Sequence, residues 1–315
     1  MWHLYFEGAG SESGKGMYMT KKKSKKTGWG QTSGYLYILP WILGFLLLQF
    51  LPLANSLRYS LTDIKLGGDY RFIGLDNYIR MFTGDPDLAN SMKVTLKYIL
   101  MAVPSKLVFA LLVAMLLSVK MKGIRFFRTV YYLPSILGGS VAISALWRVM
   151  FMKSGIVNNL LGTDINWLGD PKYALLTITL IDVWQFGSSM VLFFAALKQV
   201  PKDLYEAAQI DGAGKCGRFF RITLPMISPI ILFNMVMQTI NTLQNYTSAY
   251  VVTGGGPIKS TYVMGLKIYE DAFVKSDLGY ASAESWLLFV TLLLLTGVIF
   301  FTSRYWVFYA DEGGR

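Results

Sequence analysis

The 315-residue sequence contains a single cysteine, Cys216, and a single histidine, His3. One cysteine cannot form a disulfide within the chain, so a disulfide framework is excluded. The histidine lies in a leader, residues 1–14, that resembles a segment added for expression and is set aside here. No histidine falls in the apolar segments and no paired acids stand at working distance. We therefore find no catalytic cluster and expect neither enzyme activity nor a metal site.

A nucleotide-binding loop is also missing. In Gly14-Lys15-Gly16 the first glycine of a phosphate loop is replaced by alanine, and no serine or threonine follows the lysine. We therefore expect this chain to bind no nucleotide itself.

The sequence is instead rich in apolar residues. Hydrophobic residues make up 53% of the chain and the mean hydropathy is +0.42, which favours a membrane protein over a soluble domain. The net charge of +11 is confined to the gaps between apolar segments. That placement is typical of membrane orientation signals rather than of nucleic-acid binding.

Six apolar segments are long enough to cross a membrane, since about 20 helical residues span a hydrocarbon core of roughly 30 Å. The pattern predicts an all-α membrane protein with six transmembrane helices and no large soluble domain. The chain then divides into a leader and basic tail over 1–33, a transmembrane domain over 34–305 and a short C-terminal segment over 306–315. The six spans lie near 35–58, 94–118, 128–151, 173–196, 222–246 and 284–304.

The charges of the loops predict the orientation. The tail from residue 15 and the loops 119–128 and 197–221, with the C-terminus, hold 17 Lys and Arg residues, against 8 in the loops on the other side. Positive loops face the cytoplasm, so both termini are expected there. In the first external loop, Leu75, Tyr78, Ile79 and Phe82 follow helical spacing and predict an amphipathic surface helix.

The loop 198–225 is the longest strongly polar stretch in the second half of the chain. Asp203 and Glu206 have capping-box spacing, so a short helix should begin there. The turn from Asp211 through Gly212 should end it, and a second short helix should follow from Lys215. The result is a helix–turn–helix elbow on the cytoplasmic surface, a shape that suits a groove on a partner protein.

This elbow resembles the signature of bacterial ABC-importer permeases, in which Glu-Ala-Ala is followed at fixed distances by Gly, Ile and Leu-Pro. The resemblance implies the type I ABC importer permease fold, with the elbow as the coupling helix docked on a cytoplasmic ATPase subunit. Asp211 lies beside the matched glycine and is assigned to the same contact. The matching residues are Glu206, Ala207, Ala208, Gly212, Ile222, Leu224 and Pro225.

Two further stretches, Phe72–Tyr78 and Thr253–Pro257, resemble the carbohydrate branch of that family, the binding-protein-dependent maltose and multiple-sugar permeases. The resemblance implies a location in the bacterial plasma membrane and a second, similar permease subunit that completes a heterodimer. It also implies two ATP-binding cassette subunits, which hold the ATP and Mg, and an external sugar-binding protein. Lipid and a carbohydrate substrate complete the expected contacts; nucleic acid is not among them.

A polar face on the fifth span marks where a solute could pass. Asn234, Gln238, Asn241 and Asn245 fall on one side of the helix. Amides there either bond neighbouring helices or line a pathway for sugar hydroxyls, which they suit because they both donate and accept. The resemblance, matched by register, implies that seven residues contact the sugar, with Trp184 stacking on a ring. They are Trp184, Gln185, Ser188, Gln238, Asn241, Thr242 and Asn245.

Two other residues keep alternatives open. Asp182 is the only carboxylate well inside a predicted span, as a proton-coupled secondary transporter or channel working without an ATPase would require. Arg148, near the outer end of the third span, could contact an anionic substrate.

Overall fold

The computed structural model describes residues 29–65, 67–68, 70–119 and 122–309. The N-terminal leader, the lysines of the basic tail, Lys120 and residues 310–315 lie outside the described residues. Within these ranges the chain is helical, and the one β-bridge joins Thr62 to Phe72. The predicted all-α class is confirmed. The α-helices are α1 (Trp29–Phe45), α2 (Leu51–Ser60), α3 (Asp76–Thr83), α4 (Pro86–Leu116), α5 (Ile124–Leu137), α6 (Val141–Met150), α7 (Ile156–Leu161), α8 (Pro171–Trp184), α9 (Gly187–Gln199), α10 (Lys202–Ile210), α11 (Lys215–Arg218), α12 (Leu224–Met226), α13 (Ser228–Gln244), α14 (Met264–Tyr269) and α15 (Leu278–Ser303). Five-residue π-helical turns occupy Leu46–Phe50, Phe219–Thr223, Ala249–Thr253 and Glu270–Val274.

The chain divides into two compact units, residues 1–53 and 54–315. In the first unit, α1 contains Pro40 and continues into the π-helical turn Leu46–Phe50. The apolar helix Tyr37–Ser60 is long enough to cross a membrane, and its apolar side chains are largely exposed, as lipid-facing residues are.

In the second unit, two unbroken helices are also long and apolar enough to cross a membrane, Pro86–Leu116 and Leu278–Ser303. The described residues also contain three bent helix pairs, and six spans result if each pair is one span. The second span begins at Pro86 rather than at residue 94. It begins there because the carboxylate of Asp85 caps the helix, accepting from the Asp87 N–H at 2.8 Å, and proline fits its first turn.

The three bent pairs differ from the straight spans that hydropathy predicts. Helices α5 and α6 meet at 104°, α8 and α9 at 48°, and the segment Lys215–Met226 meets α13 at 65°. The sharpest bend falls at Gly138-Gly139, where Gly139 has φ +76°. The hydroxyl of Ser140 restarts the helix by accepting from the Ala142 N–H at 3.2 Å.

Helix α4 lies at the centre of the second unit and packs against α8, α9 and α13. Ala102, Ala110 and Ala114 are fully buried along it. Small residues with this spacing let helix backbones approach closely, which stabilises helix packing in lipid where burial from water contributes little.

The predicted surface helix in the first external loop is present as α3. Asn77 on its inner face donates hydrogen bonds to the carbonyl oxygens of Ser60 (2.9 Å) and Thr62 (2.8 Å). Of the predicted apolar stripe, Leu75, Ile79 and Phe82 are exposed. Tyr78 is half-buried, and its hydroxyl donates to the Ser60 hydroxyl at 2.9 Å. An exposed apolar stripe on a short helix is typical of contact with a membrane surface.

Candidate functional site

A cavity of about 350 Å³ opens between α4, the two bent pairs α5–α6 and α8–α9, and α13. Apart from two glycines, every residue that lines it has a polar or charged side chain. Its lining consists of Lys106, Ser135, Gly138, Gly139, Asp182, Gln185, Ser188, Gln238, Asn241, Thr242, Gln244 and Asn245.

Six of the seven pathway residues expected from sequence line this one cavity. Two come from the break between α8 and α9, and four come from the last turns of α13 and the residue after it. Gln238 and Thr242 are buried and Asn241 is exposed, so this wall reaches from the packed interior to the open side of the cavity. The six are Gln185, Ser188, Gln238, Asn241, Thr242 and Asn245.

Trp184 does not line the cavity, contrary to the expected stacking role. Its ring packs edge to face against Trp147, with centroids 5.9 Å apart, and Trp147 stacks on Phe151 at 5.1 Å. Along a helix, Trp184 is rotated by about 200° from Asp182, which does face the cavity. The tryptophan is therefore directed into an aromatic cluster with α6.

Asn234 also lies outside the cavity lining, although it shares the polar face of α13. It is 1% exposed, and its side-chain amide donates to the Ile230 carbonyl oxygen of its own helix at 3.0 Å. The polar face therefore has two parts, a buried end satisfied by the helix and an open end that faces the cavity.

The break between α8 and α9 is held together by one hydroxyl. Ser135 of α5 accepts from the Ser188 N–H at 2.9 Å and donates to the Gln185 carbonyl oxygen at 3.1 Å. These are backbone groups that an unbroken helix would pair internally. Gly187 permits this approach, since a Cβ there would lie 2.5 Å from the Tyr131 carbonyl oxygen.

Asp182 is buried in the cavity wall and both of its oxygens are used. The hydroxyl of Tyr98 donates to one at 2.5 Å, and the side-chain amide of Asn245 donates to the other at 3.3 Å. The carboxylate therefore joins α4, α8 and the end of α13.

Lys106 is the charged cavity residue that sequence reasoning missed. It is 7% exposed on α4 and lines the cavity beside the polar face of α13. A lysine within the second predicted span, 94–118, is itself a signal, since ionisable residues inside spans face a cavity or a partner. Arg148, in contrast, is exposed outside the cavity lining and donates to the Val251 carbonyl oxygen at 3.4 Å.

The predicted elbow is present between α9 and α13. Its first arm, α10, exposes Glu206, Ala207 and Ile210, the last with 87% of its surface accessible. Gly212, at φ +77°, makes the turn, and the Ala213 N–H donates to the Ala208 carbonyl oxygen at 2.8 Å, which closes the end of α10. The proposed capping box is wrong: α10 begins at Lys202 after Pro201, with no side-chain cap.

The second arm of the elbow runs from Lys215 to Met226 and is continuous with the helix that lines the cavity, apart from the 65° bend. It is anchored to the first arm by a 2.8 Å hydrogen bond between the hydroxyls of Tyr205 and Thr223. Ile222 packs against a buried cluster centred on Ile227, and Leu224 and Pro225 are half-buried. The signature thus combines exposed residues on the first arm with packed residues on the second.

A separate charged cluster lies between α4, α14 and α15. Lys267 is 1% exposed, and its Nζ lies 2.6 Å from Asp85, 2.7 Å from Asp271 and in contact with Glu284. These three carboxylates are close enough to share a metal ion, but the lysine ammonium occupies the position between them. The cluster joins α14 to two straight spans.

The glycine-rich stretch after α13, Thr253–Pro257, forms a tight turn. Gly254 and Gly255 have φ +59° and +80°, and the Gly256 N–H donates to the Thr253 carbonyl oxygen at 3.1 Å.

Comparison with known proteins shows which family has this sequence and architecture. A family model described as binding-protein-dependent transport system inner membrane component matches residues 94–310. The probable ABC transporter permease protein YesP of Bacillus subtilis (strain 168) is 45% identical over 92% of this chain and 96% of its own length. The lactose transport system permease protein LacF of Rhizobium radiobacter is 32% identical over 90% of this chain and 98% of its own.

The fold is also that of a solved transporter structure. It is a bacterial alginate ABC transporter in complex with an alginate pentasaccharide-bound periplasmic protein. The TM-score is 0.75 at 24% identity, over 88% of this chain and 95% of that one. The likeness confirms the predicted fold of an ABC importer permease. The chain therefore belongs to the family of binding-protein-dependent transport system inner membrane components, the permease subunits of ABC transporters.

Proposed function

We propose that this chain forms half of the translocation pathway of an ATP-driven sugar importer. The observation that carries the proposal is the continuity between the elbow and the cavity. The second arm of the elbow leads through one bend into α13, and α13 supplies Gln238, Asn241 and Thr242 to the cavity wall. A push on the elbow therefore acts on a helix that contacts the solute.

The cavity chemistry supports a sugar as the solute. Amide and hydroxyl side chains both donate and accept hydrogen bonds, which suits the hydroxyl groups of a carbohydrate. A volume of about 350 Å³ is within the range of small-molecule sites. Lactose and alginate, named for a relative and for a structural neighbour, are both carbohydrates.

The expected assembly follows from the family. A second, similar permease would complete the pathway, and two ATP-binding cassette subunits, which carry the ATP and Mg, would dock on the elbow. An external binding protein would deliver the sugar. We assign the ATPase contact to the exposed residues Glu206, Ala207 and Asp211, with Gly212 as the turn, and place the elbow and both termini on the cytoplasmic side.

The test is transport by the assembled complex in proteoliposomes. We expect sugar uptake that requires ATP and stops with vanadate. Glu206→Lys should abolish uptake and the stimulation of ATP hydrolysis by the loaded binding protein, while the complex still reaches the membrane. Asp164→Lys is the control, because Asp164 is an equally charged, exposed residue in a loop away from the elbow.

Two results would contradict the proposal. Normal stimulation of ATP hydrolysis in Glu206→Lys would remove the elbow from the ATPase contact. Sugar uptake that persists without the ATPase and is lost in Asp182→Asn would favour the proton-coupled transporter instead.

A further inference from the structure

The cavity holds a lysine whose ammonium donates no hydrogen bond to any of the residues that the structure describes. Lys106 is 93% buried, given its exposure of 7%, and it lines the cavity. No carboxylate among the described residues lies within 4.0 Å of its Nζ, and no side-chain or backbone oxygen there accepts a hydrogen bond from it. The ammonium itself is accessible from the cavity, so its hydrogen bonds are donated to whatever fills the cavity.

Asp182 balances the charge of Lys106 without accepting a hydrogen bond from it. The two side chains line the same cavity, yet the oxygens of Asp182 accept from Tyr98 at 2.5 Å and from Asn245 at 3.3 Å. The carboxylate is thus held by the wall, whereas the ammonium is free toward the cavity. A matched pair of charges that do not touch leaves room for a third group beside the lysine.

We propose that Lys106 binds the carboxylate of an acidic sugar, so that the importer carries saccharides that contain a hexuronate unit. This inference rests on the proposed sugar transport and specifies its substrate class. The ammonium would hold the carboxylate as a charge-assisted pair. Gln185, Asn241 and Gln244, which line the same cavity, would meet the ring hydroxyls.

The charge of the cavity favours a carboxylate over a phosphate. With Lys106 and Asp182 as its charged groups, the described lining has no net charge when both are ionised. Each hexuronate carboxylate adds one negative charge opposite one ammonium, whereas each phosphate ester near pH 7 adds up to two and faces Asp182 as well. Phosphate recognition also favours the bidentate fork of arginine, and no arginine lines this cavity.

The experiment uses the complete transporter, with its partner permease, ATPase and binding protein, in proteoliposomes. Uptake of an oligohexuronate is compared with uptake of the same oligosaccharide after reduction of its carboxyl groups to alcohols, and with a sugar phosphate. Three variants are tested: Lys106→Gln removes the charge, Lys106→Arg keeps it, and Lys97→Gln removes an exposed charge from the same helix. Basal ATP hydrolysis and the melting temperature of each complex are recorded as well.

We expect the wild type and Lys97→Gln to take up the oligohexuronate. Lys106→Gln should lose roughly ten- to a hundredfold in its uptake, the usual size of a charge-assisted hydrogen bond. Lys106→Arg should recover part of the loss. The melting temperature of Lys106→Gln should match that of the wild type, which a merely structural role would not allow.

Several results would overturn the inference and leave sugar transport intact. They are unchanged oligohexuronate uptake in Lys106→Gln, an equal loss for the oligohexuronate and its reduced form, a fall in melting temperature that accompanies the loss, or Lys106-dependent uptake of the sugar phosphate alone. In contrast, if neither acidic nor neutral sugars give ATP-dependent uptake by the wild type and Lys97→Gln, the proposed function itself fails.

Discussion

Two buried lysines in this chain have opposite surroundings. Lys267 is in contact with three carboxylates, whereas Lys106, also inside the helical packing, has none within 4.0 Å among the residues the structure describes. Both lie within or against apolar helices, so the difference does not come from burial. It comes from what each lysine faces: Lys267 is closed in by α4 and α15, and Lys106 opens toward a cavity.

The difference separates a structural charge from a functional one. A closed lysine must find its counter-ions in the fold, because a buried unpaired charge costs several kcal/mol. A lysine that opens toward a cavity can donate its hydrogen bonds to a solute that enters and leaves the cavity. Desolvation acts to lower the pKa of Lys267, but Glu284, Asp271 and Asp85 outweigh it and hold that pKa above its ordinary value, so the closed lysine remains charged.

The largest expected effect comes from breaking the closed cluster, which consists of Lys267 and the carboxylates of Asp85, Asp271 and Glu284. Lys267→Met leaves three carboxylates close together without their cation, and we expect a loss of about 3–5 kcal/mol in the free energy of unfolding. Thermal unfolding of the purified complex in detergent measures it. Lys275→Met is the control, since Lys275 is mostly exposed and contacts Asp271 alone in the cluster.

The same substitution at the open lysine sharpens the comparison. Lys106→Met removes no direct ion pair, and we expect it to cost less than about 1 kcal/mol. Equal melting-temperature losses for Lys106→Met and Lys267→Met would show that both lysines are structural.

An intermediate effect is expected at the break that shapes the cavity. A Cβ at Gly187 would lie 2.5 Å from the Tyr131 carbonyl oxygen and 2.7 Å from the Ser135 hydroxyl. Gly187→Ala should therefore push α5 away and destabilise the fold by about 1–3 kcal/mol, with a loss of sugar uptake. Gly297→Ala, in open space on α15, should leave both unchanged. Wild-type uptake and melting temperature in Gly187→Ala would contradict the tight contact.

A pH-dependent effect is expected at the outer edge of the closed cluster. Desolvation acts to raise the pKa of Asp85, but hydrogen bonds from Lys267 and Tyr280 outweigh it and lower the pKa from 3.8 to about 2. A pKa lowered by folding stabilises the protein above pH 4, and this contribution is lost as the pH falls from about 4 to about 2. Asp85→Asn should flatten the melting-temperature profile in that window. An unchanged profile would show that the pairing contributes nothing.

The features that could be predicted from the sequence are those determined by residues within one continuous segment. The six apolar stretches, the turn at Gly212 and the polar face of α13 each follow from local spacing or composition. The closed cluster could not be predicted, because Asp85 and Glu284 are brought together only by packing of α4 on α14 and α15. The bend between α8 and α9 could not be predicted for the same reason. Ser135 and Gln185 are distant in sequence, yet the hydrogen bond between them stabilises the break in the helix.

Similarly, Trp184 was assigned to the cavity by register with a related pattern. Register alone does not include the bend that follows it, nor the aromatic neighbour on α6 that receives its ring. Lys106 was within reach of sequence reasoning, since a lysine inside an apolar run is rare, but only the cavity shows which way it opens.

The bend at Ile227 has a mechanical consequence. Helix α13 is 17 residues long, and its far end carries Asn245, which bonds Asp182 at 3.3 Å. A tilt of about 10° pivoting at that bend would carry the far end by about 4 Å, since the helix is about 25 Å long. That displacement exceeds the tolerance of a hydrogen bond. Asp182 would then lose its amide donor and keep an unpaired oxygen in the cavity that it shares with Lys106.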